Sequence, residues 1–121
     1  MKLMIVDDSN VIRQRIARLA GHARLPGLEI VGQARNGAEA LSMFVRYHPD
    51  VVTMDLTMPE LGGVECTEQI AAIDEKVNIL VVSALSDKTT AISALKKGAR
   101  GFLYKPFTDD QLVEALLEML P

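Results

Sequence analysis

Cysteine is nearly absent: Cys66 stands alone among 121 residues, so no internal disulfide can form, which fits a reducing cytoplasm. No apolar stretch approaches the roughly 18 residues that read as a membrane span. The opening Met-Lys-Leu-Met-Ile-Val is too short to serve as a signal peptide and reads as a first strand. A basic excess is lacking too. The formal net charge is −3, so nothing global recruits nucleic acid. His22 and His48 belong to no His/Cys cluster with zinc spacing, and no GxGxxG follows the first strand to support dinucleotide binding. Internal repeats, linkers and low-complexity segments are also missing.

What remains is ordinary soluble composition, 49% hydrophobic and 24% charged, in a length that suits one domain over 1–121 with its own core. Strand-like runs alternate with helix-periodic ones five times, the pattern of a parallel α/β sheet covered on both faces. Ser9 is placed to cap a first helix burying Val11, Ile12, Ile16 and Leu19. Leu28 to Ala34 read as a second strand, and Asn36-Gly37 opens a helix burying Ala40, Leu41, Phe44 and Tyr47, stopped by His48-Pro49. Val51 to Met54 form a third strand; Val64, Ile70 and Ile73 mark the next helix. Asn78 to Val82 form a fourth strand, and Ile92, Leu95 and Ala99 mark a fourth helix with Gly98 at its end. Gly101 to Tyr104 form the fifth strand. Thr108-Asp109-Asp110-Gln111 has the form of a capping box before a last helix burying Leu112, Val113, Leu116, Leu117 and Leu120.

Four of the strand-like runs end in reactive residues: Asp7-Asp8, Asp55, Ser83 and Lys105. In a parallel sheet these ends share the carboxyl edge, where open α/β folds place their sites. An isolated Asp-Asp pair is usually a solvated turn. Here a third acid ends another strand, and Asp7, Asp8 and Asp55 together offer hard oxygen ligands suited to Mg²⁺. Asp55 is the candidate nucleophile, since a carboxylate can take a phosphoryl group as an acyl phosphate. Lys105 would pair with phosphate oxygens and Ser83 would hydrogen-bond one of them. The Lys105-Pro106 bond is a candidate for the cis form, with an ordinary trans proline entering the last helix as the alternative.

The segments Val6-Asp7-Asp8-Ser9, Met54-Asp55-Leu56-Thr57-Met58-Pro59, Val82-Ser83-Ala84 and Tyr104-Lys105-Pro106-Phe107 closely resemble the receiver domain of two-component response regulators over essentially the whole chain. The resemblance implies a doubly wound, five-stranded flavodoxin-like or CheY-like (βα)5 fold with strand order 2-1-3-4-5. It implies that Asp8, Asp55 and the Thr57 backbone carbonyl bind Mg²⁺, with Asp7 acting through the metal's water shell. Asp55 would receive phosphate from a histidine kinase or phosphotransfer protein, with Ser83 and Lys105 holding the transferred group. Ser83 and Phe102 match the hydroxyl and aromatic of the family's switch, although Phe102 lacks the phenolic hydroxyl often found there. Gly62 departs from the Asp common at its position and is expected to alter the loop's turn, not the chemistry.

The implied protein is a stand-alone, phosphorylation-activated receiver of the chemotaxis type, binding a downstream target through the fourth helix, fifth strand and fifth helix. It would be cytoplasmic, monomeric or dimerising on phosphorylation, without direct nucleic-acid binding or membrane insertion. It would not be an enzyme beyond its own phosphorylation and slow self-dephosphorylation. The alternatives are a receiver cut from a longer regulator with a DNA-binding or enzymatic output domain, and a haloacid-dehalogenase-like phosphatase. The phosphatase typically needs a second Asp where this chain has Thr57.

Overall fold

The computed structural model describes residues 1–58 and 61–120. Strand β1 (Lys2–Val6) leads to helix α1 (Asn10–Ala20), then β2 (Glu29–Ala34), α2 (Gly37–Tyr47) and β3 (Val51–Asp55). Next come α3 (Gly63–Ile73), β4 (Asn78–Ala84), a short 3-10 turn (Leu85–Asp87), α4 (Lys88–Lys96), β5 (Gly101–Lys105) and α5 (Asp109–Met119). All strand pairs are parallel and the sheet order is β2-β1-β3-β4-β5, the doubly wound arrangement expected. Among the described residues, no helix is long and apolar enough to cross a membrane.

The side-chain alternation of parallel strands builds two cores. Leu3, Ile5, Val51, Leu80 and Val82 face Ile16 of α1 and Leu112 and Leu116 of α5. Met4, Val6, Val52, Met54, Ile79 and Val81 face Phe44 of α2, Ile70 of α3 and Ala91 and Ala94 of α4. The central strands are therefore apolar on both sides apart from buried Thr53 of β3, and the charged residues gather at their carboxyl edge.

The local signals fell where the sequence puts them. The Ser9 hydroxyl accepts from the Ile12 amide, the Asn36 side chain accepts from the Glu39 amide, and Thr108 with Gln111 makes a reciprocal capping box. His48, held before Pro49, leaves the helical region at φ 49° and ends α2. Gly98 follows α4 at φ 129°, where a Cβ would also meet Ala71 at 2.5 Å.

Several expected core positions are corrected. Val11 is 73% exposed and buried Arg13 stands on the stripe instead; Val11 precedes Ile16 by five residues, about 140° round the helix. Ile92 is exposed because the smaller Ala91 and Ala94 form the packed face of α4. Tyr47 and Ile73, the last residues of their helices, are exposed, and the Tyr47 ring lies against Arg46. At the end of α5, Met119 is buried while Leu117 and Leu120, the residue just past the helix, only lean on the core. Strand β4 continues through Ser83 to Ala84, so Ser83 lies within the strand. Pro59, part of the expected loop after β3, lies outside the described residues.

Candidate functional site

Register brings the reactive residues level. Val6 lies opposite Met54, so the next residue of each chain segment, Asp7 and Asp55, are neighbours. Asp55 lies opposite Val82, and on the next pair Ser83 opposes Tyr104 and Ala84 opposes Lys105. One carboxylate oxygen from each of Asp7, Asp8 and Asp55 lies within 4.8 Å of the other two. Asp7 and Asp55 are buried while Asp8 is exposed.

Two buried carboxylates this close repel, and the fold supplies a partial remedy. The Lys105 ammonium donates to Asp7 Oδ2 at 3.1 Å and lies 3.6 Å from Asp55 Oδ1. Asp7 Oδ1 accepts from the Ser9 amide at 2.9 Å, and Asp55 Oδ1 accepts from the Thr57 amide at 3.3 Å. The remedy is incomplete at Asp55. Burial, then the Asp7 charge, push its carboxyl from 3.8 up to about 6, with a smaller push from Asp8, while Lys105 and the Thr57 amide pull the other way. For Lys105, burial works against the ammonium, but Asp55 and Asp7 outweigh it and hold its pKa above the ordinary value. Lys105–Pro106 is a cis peptide.

The donor set fits Mg²⁺. Among the described residues three carboxylates converge with a single ammonium, and Asp8 opens to solvent, where a metal that retains several waters needs room. The close approach behind the pocket depends on Gly63: a Cβ there would sit 2.2 Å from the Asp55 carbonyl oxygen and 2.5 Å from Leu56 Cα. Gly62, by contrast, takes an ordinary φ of −70° and meets nothing within 4 Å.

Ser83 is 1% exposed and its hydroxyl has no hydrogen-bond partner among the described residues. A buried hydroxyl without a partner is costly, and at this strand end it is suited to an incoming oxygen. Phe102 is 43% exposed, its ring tilted against Tyr104 with centroids 5.0 Å apart. Its side chain therefore lies outward in this state.

Two further groups at the site escaped the sequence reading. Arg13, buried in α1, donates to the Asp7 carbonyl at 2.6 Å and to Asn10 Oδ1 at 3.2 Å. A cation three residues before core residue Ile16 and just after an acidic turn was the available signal. The Thr57 hydroxyl donates to Asp87 Oδ2 at 3.3 Å, joining the loop after β3 to the turn after β4. No spacing pattern marks that contact.

Residues 3–117 match the model of the response regulator receiver domain. The chemotaxis protein CheY of Thermotoga maritima is 39% identical over 115 residues, 95% of this chain and 93% of that protein. Among solved structures, the response regulator domain of Thermotoga maritima CheB superposes with TM-score 0.83 at 31% identity, covering 98% of this chain and 91% of that one. The CheX–CheY–BeF3–Mg²⁺ complex from Borrelia burgdorferi contains a chain that superposes with TM-score 0.87 at 27% identity, covering 98% of this chain and 87% of that one. An acidic strand-edge pocket on this topology, with a family match across nearly its whole length, shows that the chain belongs to the response regulator receiver domain family, the signal-receiving module of two-component systems.

Proposed function

We propose that Asp55 is the phosphoacceptor of this receiver, taking a phosphoryl group from the phosphohistidine of a histidine kinase or phosphotransfer protein. The observation that carries the reading is the gathering of Asp55, two further carboxylates and the Lys105 ammonium at one strand edge. An Asp55 oxygen attacks phosphorus, the phosphorus–nitrogen bond of the donor breaks, and the released imidazole takes a proton from solvent. Asp8, Asp55 and the Thr57 carbonyl would hold Mg²⁺, with Asp7 reaching it through water; the bound ion would screen the charge of the incoming phosphate. Lys105 and the Ser83 hydroxyl then bind phosphoryl oxygens, and Ser83 thereby gains the partner it lacks.

Phosphorylation adds roughly two negative charges, enough to bias a two-state element. Ser83 moves toward the phosphoryl group and Phe102 turns inward behind it, altering the α4-β5-α5 face. Leu85, Ile92 and Phe102 already expose apolar surface on the elements after β4 and on β5, which supports a binding output there. The chain acts as a cytoplasmic receiver of the chemotaxis type, monomeric or dimerising on phosphorylation.

Incubation with Mg²⁺ and a small acyl- or amidophosphate donor, followed by intact-mass measurement, tests the assignment. The wild type should gain one phosphoryl group, and Asp55→Asn should gain none while remaining folded. Undiminished labelling of that variant, or labelling in excess EDTA, would contradict the assignment.

A further inference from the structure

We propose that Arg15 is a positioning residue for Lys105, clamping the loop that aims the ammonium into the acidic pocket; this role rests on the reading of Lys105 as a phosphoryl ligand. Arg15 Nη2 donates to the Phe107 carbonyl at 2.6 Å, and the guanidinium lies 4.4 Å from the centroid of the buried Phe107 ring. The same group donates to Asp109 Oδ1 from Nη2 at 2.9 Å and from Nε at 3.1 Å. Arg18 adds a looser contact to the other Asp109 oxygen at 3.7 Å. One side chain of α1 thus grips the loop carbonyl, the loop aromatic and the first residue of α5 together.

Only Pro106 separates this grip from Lys105, and its ring fixes φ and removes one source of slack. Lys105 sits at the end of β5, an edge strand whose sole neighbour among the described residues is β4. The sheet alone therefore restrains the ammonium from one side, and Arg15 restrains it from the other. A planar fork that stacks and donates in two directions suits this task, which a lysine could not reproduce.

A purely structural staple between α1 and α5 is the competing role, and the Arg24–Glu114 ion pair provides the comparison, since it joins the chain after α1 to α5 away from the loop. The test measures beryllofluoride affinity in saturating Mg²⁺, and Mg²⁺ affinity alone, for wild type, Arg15→Ala, Arg24→Ala, Lys105→Ala and the Arg15→Ala/Lys105→Ala pair. Arg15→Met, which keeps the apolar stem, replaces the alanine variant if that one does not fold. Arg15→Ala should bind beryllofluoride roughly tenfold more weakly, with Mg²⁺ affinity retained or raised and Arg24→Ala unchanged. In the Lys105→Ala background the Arg15 substitution should have no further effect. Wild-type affinity in the Arg15 variant, an equal loss in the Lys105→Ala background, an equal loss in Arg24→Ala, or weakened Mg²⁺ binding would each overturn the positioning role alone. A wild-type protein that binds no beryllofluoride would remove the functional reading beneath it as well.

Discussion

Lys105 leans on Asp7 more closely than on Asp55, at 3.1 Å against 3.6 Å. In the resting protein the ammonium is thus the internal counter-ion of a buried carboxylate that is not the proposed acceptor. Among the described residues one ammonium faces three carboxylates, so the pocket holds a surplus of negative charge that a divalent cation would offset.

Removing one of those acids should separate metal binding from stability. Asp8→Ala is expected to weaken Mg²⁺ binding by roughly tenfold or more, because this metal relies on few protein ligands. The same change should stabilise the metal-free fold by relieving like-charge crowding. Thermal melts with and without Mg²⁺ check both parts. A variant stabilised by Mg²⁺ as strongly as the wild type would remove Asp8 from the ligand set.

The elevated Asp55 carboxyl makes a signed prediction about pH. Its native value of about 6 lies above the unperturbed 3.8, so between those values the folded state binds the proton more tightly than the unfolded one. Stability from this group therefore falls as pH rises from about 4 to 6 and stays low above that. Without metal, Asp55→Asn should match the wild type near pH 4 and exceed it at pH 7 by up to about 3 kcal/mol. Urea denaturation in EDTA across that range gives the gap. A gap that is constant with pH would show that Asp55 is not strained by burial and by Asp7. Saturating Mg²⁺ should shrink or reverse it in favour of the wild type.

Adjacent glycines should respond in opposite ways. Gly62 is the N-cap of α3 with extended backbone, no side-chain cap bond and open space around it. Gly62→Asp should cap the helix and raise stability by about 0.3 kcal/mol, leaving phosphorylation intact. Gly63→Ala should cost about 1–3 kcal/mol, because its methyl would run into the Asp55 carbonyl and Leu56. Denaturant titration of the two variants distinguishes them; a destabilised Gly62→Asp would deny the capping geometry.

The switch reading predicts that phosphoryl binding and its distal response can be separated at Ser83. Ser83→Ala should still accept phosphate at Asp55, yet show little chemical-shift change across Ser86 to Lys97 and at Phe102. Coupling energies of this kind are typically about 1–3 kcal/mol, so losing one partner can erase most of the response. NMR spectra with and without beryllofluoride, at confirmed saturation of both proteins, provide the comparison. Distal shifts equal to those of the wild type would place the relay elsewhere.

The gathering of Asp7, Asp8, Asp55 and Lys105 was legible because it depends on strand ends, which apolar runs mark sharply; the sheet order came from the family resemblance, since strand ends alone do not say which strands are neighbours. The caps at Ser9, Asn36 and Thr108 were legible because their hydrogen bonds are local. Exposure was harder to read. Val11 and Ile92 look like core residues until the helix phase is known, and the phase is set by what packs across the sheet, such as Ala91 and Ala94 against β4's side of the core. Arg13, Arg15 and Asp87 were missed for a different reason: their partners are backbone carbonyls or a distant loop, and such pairings leave no periodic trace.

The order of the strands gives the pocket two halves of unequal durability. Asp7 directly follows β1 and Asp55 ends β3, two strands each flanked on both sides, whereas Lys105 arrives 98 residues after Asp7 on the strand at the rim of the sheet. Edge elements open locally more often than central ones. A transient detachment of β5 would strip the ammonium from the pocket and leave the acids assembled. Amide protons of β5 should therefore exchange faster than those of β1 and β3, and in each such opening the protein would briefly be a better metal binder and a poorer phosphate binder.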